Sequence, residues 1–185
     1  MRKLIEGVKK FSIFVNENIY YHGTVLPKIN QNIDSFKKNT GYRTNPMLDI
    51  LREVNSPWVF FTTDYDLAYK FGSSKTEGLY HDKNDFSYQT VVLKYEINEN
   101  KINILDLTTK DYEAELEDIG ISLIDLYGIG MYSQDQMWEL LDDEEISKTI
   151  QSRFDAVKLI ENSSGYKGIS LAIDINKVNN IIKKI

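Results

Sequence analysis

Strand-like runs gathered near both ends of a 185-residue chain, with an acidic helical stretch between them, predict an α+β fold around a split antiparallel β-sheet. The strand-like runs are 19–24, 58–63 and 90–97 early, then 154–160 and 168–173 late, each short and rich in aromatic or β-branched residues. The stretch 108–150 instead repeats its apolar residues at helical spacing. The length suits one domain, 1–185, large enough for a core of its own. With 42% hydrophobic and 27% charged residues, the composition argues against wholesale disorder.

Taken in order, 2–15 reads as an amphipathic helix carrying Leu4, Ile5, Val8 and Phe11 on one face. The polar triplet Asn16-Glu17-Asn18 breaks it and leads into the strand Ile19-Tyr20-Tyr21-His22-Gly23-Thr24. All three prolines, Pro27, Pro46 and Pro57, fall in the next segment, which reads as a long loop over the site with one helix near 47–54. Residues 58–63 form a buried strand running straight into a helix. Thr63 is expected as its N-cap with Asp66 as capping-box partner, and Gly72 as its end. On that helix Leu67 and Phe71 face the core while Tyr65 and Tyr69 share the opposite face. After the strand 90–97 and its extension over 101–107, the chain turns helical, breaks near Gly128 and Gly130, and resumes as a helix over 134–152. Two strands, 154–160 and 168–173, joined by a turn over 162–165, close the sheet.

Composition narrows the chemistry. Lys and Arg total 22 against 28 Asp and Glu, and the net charge of -6 argues against a broad nucleic-acid surface. Without cysteine, thiolate catalysis, disulfides and cysteine-ligated zinc are excluded. Two histidines far apart in sequence speak against an all-histidine metal site, so no metal is expected. Residues 1–14 hold no apolar run long enough for a signal or a membrane span, and a cytoplasmic protein with no membrane partner is the expectation. There is no Gly-rich phosphate loop, no dinucleotide fingerprint and no serine in a nucleophile elbow.

The residues that remain as candidates cluster in two motifs. His22-Gly23-Thr24 ends a strand with a ring nitrogen, a missing Cβ that lets a ligand approach the backbone, and a hydroxyl. After Phe60-Phe61-Thr62-Thr63-Asp64, Tyr65 and Tyr69 on the helix are either plain amphipathic surface or an aromatic wall for a planar ligand.

Together these motifs resemble the NAD-binding half of ADP-ribosyltransferases, in the branch of poly-ADP-ribose polymerases and diphtheria-type toxins. The resemblance implies that His22 and Thr24 hold the NAD ribose and nicotinamide amide, with Gly23 in close backbone contact. It implies that Phe61, Tyr69 and Tyr65 stack on the nicotinamide. In that family a glutamate on a late strand stabilises the oxocarbenium ion, but the strand 168–173 carries no acid in its body. Met137-Trp138-Glu139 resembles a Trp-Asp segment of divergent anti-CRISPR members of the family, which makes Glu139 the first choice for the catalytic acid and Asp155 the second. The implied function is NAD-dependent mono-ADP-ribosyl transfer to a macromolecule, as a toxin or a phage–host conflict effector. The acidic chain favours a protein target over nucleic acid. The alternative is a catalytically silent NAD- or ADP-ribose-binding module or a partner-binding inhibitor on the same fold.

Overall fold

The computed structural model describes residues 19–27, 42–45, 50–53, 56–83, 88–122, 133–163 and 166–185; the helix expected over 2–15 lies outside them. In chain order the strands are β1 (Ile19–Pro27), β2 (Tyr42–Asn45), β3 (Ile50–Glu53), β4 (Trp58–Thr62), β5 (Tyr88–Ile97), β6 (Ile104–Asp106), β7 (Ala156–Ser163), β8 (Tyr166–Asp174) and β9 (Ile182–Lys184). The helices are α1 (Tyr65–Lys83), α2 (Tyr112–Asp118), α3 (Glu144–Gln151) and the single turn α4 (Val178–Ile181), with a 3-10 helix over Gln134–Leu141. The α+β class holds.

Seven strands form one sheet in the order β6-β7-β8-β4-β1-β5-β9. It is mixed, not purely antiparallel: β6 runs parallel to β7 and the other neighbours are antiparallel. The chain between β6 and β7 spends α2, the 3-10 helix and α3 on the crossover, and a crossover of that length permits parallel pairing. At the centre the sheet is thin. β1 pairs with β5 along its whole length, but it meets β4 in register only at Tyr21 opposite Thr62.

Each half has its own apolar cluster. Trp58, Leu105, Leu107, Leu116, Met137, Leu140, Ile150, Val157 and Leu159 pack between one sheet face and the helices of the crossover. Tyr20, Val59, Phe61, Tyr95, Ile97, Leu171, Ile173 and Val178 fill the other face. The alternation Trp58 and Phe60 to one side, Val59 and Phe61 to the other, divides β4 between the two.

Several local expectations change. Residues 50–53 form a strand paired with 42–45, where a helix was expected over 47–54; a cross-strand partner overrides local propensity. Asp64, not Thr63, caps α1, its Oδ1 accepting the Leu67 N–H at 2.9 Å. Gly72 does not end α1, which runs on to Lys83. A Cβ there would lie 2.8 Å from Thr90 Cγ2 and 3.1 Å from Thr24 N, so Gly72 lets helix and sheet approach closely. The helix expected over 134–152 is two: Asp143 accepts the Glu145 and Ile146 N–H groups at 3.0 and 2.9 Å and starts α3 afresh. Asn162 and Ser163, expected in a turn over 162–165, instead belong to β7 and pair with Lys167 and Tyr166.

Candidate functional site

A cavity of about 440 Å3 opens at the thin seam between β1 and β4, a size within the range of small-molecule sites. Its floor follows from the sheet register. Tyr21 on β1 lies opposite Thr62 on β4, and Thr62 lies opposite Ser170 on β8. Ser170 lies opposite Leu159 on β7, and Glu161 is two residues further along that strand. Side chains two apart on a strand share a face, so Tyr21, Thr62, Ser170 and Glu161 form one row across four strands. Over this row α1 contributes Ala68, Phe71 and Lys75, the 3-10 helix contributes Trp138, and Asp142 follows at its end. Trp58 and Phe60 complete an aromatic wall.

Glu161 is the chemically distinctive residue. It is only 7% exposed, and Ser170 Oγ donates a hydrogen bond to its Oε2. Burial pushes its carboxyl up from 4.5 to about 7, against the opposing pull of the Ser170 hydroxyl and the positive charge of Lys75. Near neutral pH the group is therefore divided between acid and carboxylate, the condition that suits proton transfer or stabilisation of a developing cation. Gly168, opposite Glu161, leaves room for Leu67 to close over the row; a Cβ there would stand 2.8 Å from Leu67 Cδ2.

His22 lines the cavity and is buried, with Nδ1 at 2.6 Å from the Phe60 carbonyl oxygen. A carbonyl only accepts, so Nδ1 carries the proton in this contact. The bond also ties β1 to β4 at the seam. By alternation His22 lies on the opposite sheet face from Tyr21, and its ring meets that of Phe61 at 5.5 Å.

The other predicted residues divide between cavity and scaffold. Gly23 and Phe61 line the cavity. The missing Cβ of Gly23 is explained by packing, because a Cβ there would sit 1.6 Å from the Ala68 carbonyl oxygen on α1. The Phe61 ring belongs to the core and packs edge-on against Tyr95 at 5.3 Å. Thr24 is wholly buried and does not line the cavity. Tyr65 and Tyr69 occupy the outer face of α1, 54% and 51% exposed, and neither lines the cavity; Tyr65 instead packs edge-on against Tyr21. Glu139 is on the 3-10 helix but off the cavity wall. Asp155 is a scaffold residue: it pairs with Lys177 at 3.0 Å and accepts the Asn103 N–H at 2.8 Å, contacts that hold its carboxyl below the usual range. Glu161 falls one residue beyond the end of the strand expected over 154–160, so the sequence alone does not mark it.

No family model matches the chain, and no curated protein or solved structure is detectably similar to it. Among the described residues no helix is long and apolar enough to cross a membrane, and no group of three or more His, Asp or Glu side chains is placed to hold a metal ion.

Proposed function

We propose that the chain is an NAD-dependent ADP-ribosyltransferase in which Glu161 takes the catalytic role first sought in Glu139 and Asp155. The observation that carries this reading is a buried carboxyl on a late strand, facing an aromatic cavity that also receives His22. The resemblance of the two early motifs calls for such a carboxyl, and it supports the reading from an independent direction.

The residues fit the nicotinamide–ribose end of NAD. Trp58, Phe60 and Trp138 supply flat apolar surface for a planar ring, and the buried carboxyl of Glu161 is beside a hydroxyl. NAD supplies a ribosyl bond whose leaving group departs as neutral nicotinamide. Glu161, as carboxylate, stabilises positive charge developing on the sugar, and because it is only 7% exposed its charge is screened less than one in solution. Ser170 holds the carboxyl in one orientation, and Lys75 favours its ionised form. The hydrogen bond from His22 Nδ1 to the Phe60 carbonyl fixes the plane of the imidazole at the cavity wall.

The test is nicotinamide release from NAD by the purified protein, with and without a lysate of candidate targets. Release that depends on lysate and labels a discrete protein band is the expected result. NAD binding without release would make the chain a silent binding module, and neither binding nor release would end the NAD reading.

A further inference from the structure

Leu67, in the first turn of α1, is wholly buried yet does not line the cavity. Its side chain fills a space that the sheet leaves open. Gly168 on β8 has no Cβ, and one built there would stand 2.8 Å from Leu67 Cδ2, 3.5 Å from Asp64 Cβ and 3.5 Å from Thr62 Oγ1. Gly168 is the register partner of Glu161. Side chains directly opposite on antiparallel strands share a face about 5 Å apart, so the Leu67 methyl group rests beside the Glu161 stem. The contact is pinned from two sides. Asp64 Oδ1 accepts the Leu67 N–H at 2.9 Å and the Asp64 carbonyl accepts the Ala68 N–H at 3.1 Å, which fixes the first turn of the helix. Thr62 Oγ1 donates to the Ile169 carbonyl at 2.9 Å and accepts the Asp64 N–H at 3.2 Å, which fixes that turn to β8.

We propose that Leu67 is a positioning residue for Glu161: seated in the space above Gly168, it excludes water from the carboxyl and leaves the cavity side open to a ligand. The place of Glu161 in the fold calls for such a cover. It stands toward the end of β7, where Asn162, Tyr166 and Lys167 are all exposed, yet it is itself buried. Leu67 is the apolar side chain that α1 sets against this position. The charged and titratable groups around the carboxyl are Asp64 and Lys75 at and along α1, His22 and Tyr21 on β1, and Asp142 beyond the 3-10 helix. Of these, Lys75 acts on the carboxyl and opposes its rise, as the Ser170 hydroxyl does, so the loss of water is what raises it. In the reaction proposed above, on which this consequence rests, the carboxylate is the working form. The cover then sets the pH at which the site becomes active.

Carbon NMR titration of the Glu161 carboxyl without NAD tests the cover, in protein labelled at the glutamate carboxyl carbons and with the Glu161→Gln spectrum identifying the signal. Leu67→Ala should lower the titration midpoint by about one pH unit. Adding Gly168→Ala to Leu67→Ala places a methyl group in the vacated space and should return most of that fall, which a general loosening of the fold would not do. Leu67→Val, the milder truncation, should lower the midpoint less, and it carries the test if Leu67→Ala does not fold. With NAD present, the pH of half-maximal nicotinamide release should move down with the carboxyl in the truncated variants. An unchanged midpoint on truncation, or a fall that the added methyl group does not reverse, would overturn the assignment. Because the titration contains no NAD, failure of the cover is separate from failure of the NAD reading.

Discussion

Replacing Glu161 by Gln removes a charge while nearly preserving shape, and its effect on stability should reverse the usual expectation for a buried-site substitution. The Glu161 carboxyl stands at about 7 in the folded chain against an ordinary 4.5. Below pH 4.5 it is protonated folded and unfolded alike, and it carries no ionisation penalty. Between 4.5 and about 7 the unfolded chain releases the proton that the folded chain keeps, so stability falls as pH rises, by about 1.4 kcal/mol per pH unit. Above about 7 the full penalty is in place, about 3 kcal/mol. Gln carries no such term. The stability of Glu161→Gln relative to the parent should therefore improve by about 2–3 kcal/mol between pH 5 and pH 8. For a domain of this size that corresponds to roughly 5–10 °C in Tm. Any pH-independent cost of burying the amide cancels in the difference. Parallel thermal melts at the two pH values check it, and a gap between variant and parent that is the same at both would refute the argument that burial raises this carboxyl. In the same variant, nicotinamide release should fall by about 10²–10³ while NAD still binds.

Gly23→Ala should destabilise the protein by about 3 kcal/mol or abolish folding, because the new methyl group meets a backbone oxygen that cannot rotate away; denaturant unfolding measures this. Glu139→Gln and Tyr69→Ala should each leave nicotinamide release within about twofold of the parent, since neither side chain lines the cavity; a hundredfold loss in either would return the catalytic or stacking role to it. Trp58→Phe should cost about 1–3 kcal/mol in chemical denaturation, as it leaves the buried Ser147 hydroxyl without its indole donor.

Alternation and local chemistry made much of this protein legible in the sequence. The strands expected over 19–24, 58–63 and 90–97 announce themselves by aromatic and β-branched residues and are found at Ile19–Pro27, Trp58–Thr62 and Tyr88–Ile97, and the outward direction of Tyr65 and Tyr69 follows from their spacing against Leu67 on one helix. His22 stands out in the sequence by the strand end it occupies, and it lines the cavity. What depends on a partner element was not legible. Gly23 and Gly72 look like a ligand contact and a helix stop in one dimension; in three they are where α1 presses onto β1 and β5. Glu161 falls between the strand expected over 154–160 and the turn expected over 162–165, because Asn162-Ser163-Ser164-Gly165 has turn composition and the pairing of Asn162 with Lys167 is written in neither residue alone. The sequence by itself determined which segments alternate and which residue types were present for chemistry. Only the tertiary structure decided which acid enters the cavity, because desolvation and a hydroxyl from the neighbouring strand are properties of the register between β7 and β8, not of either strand.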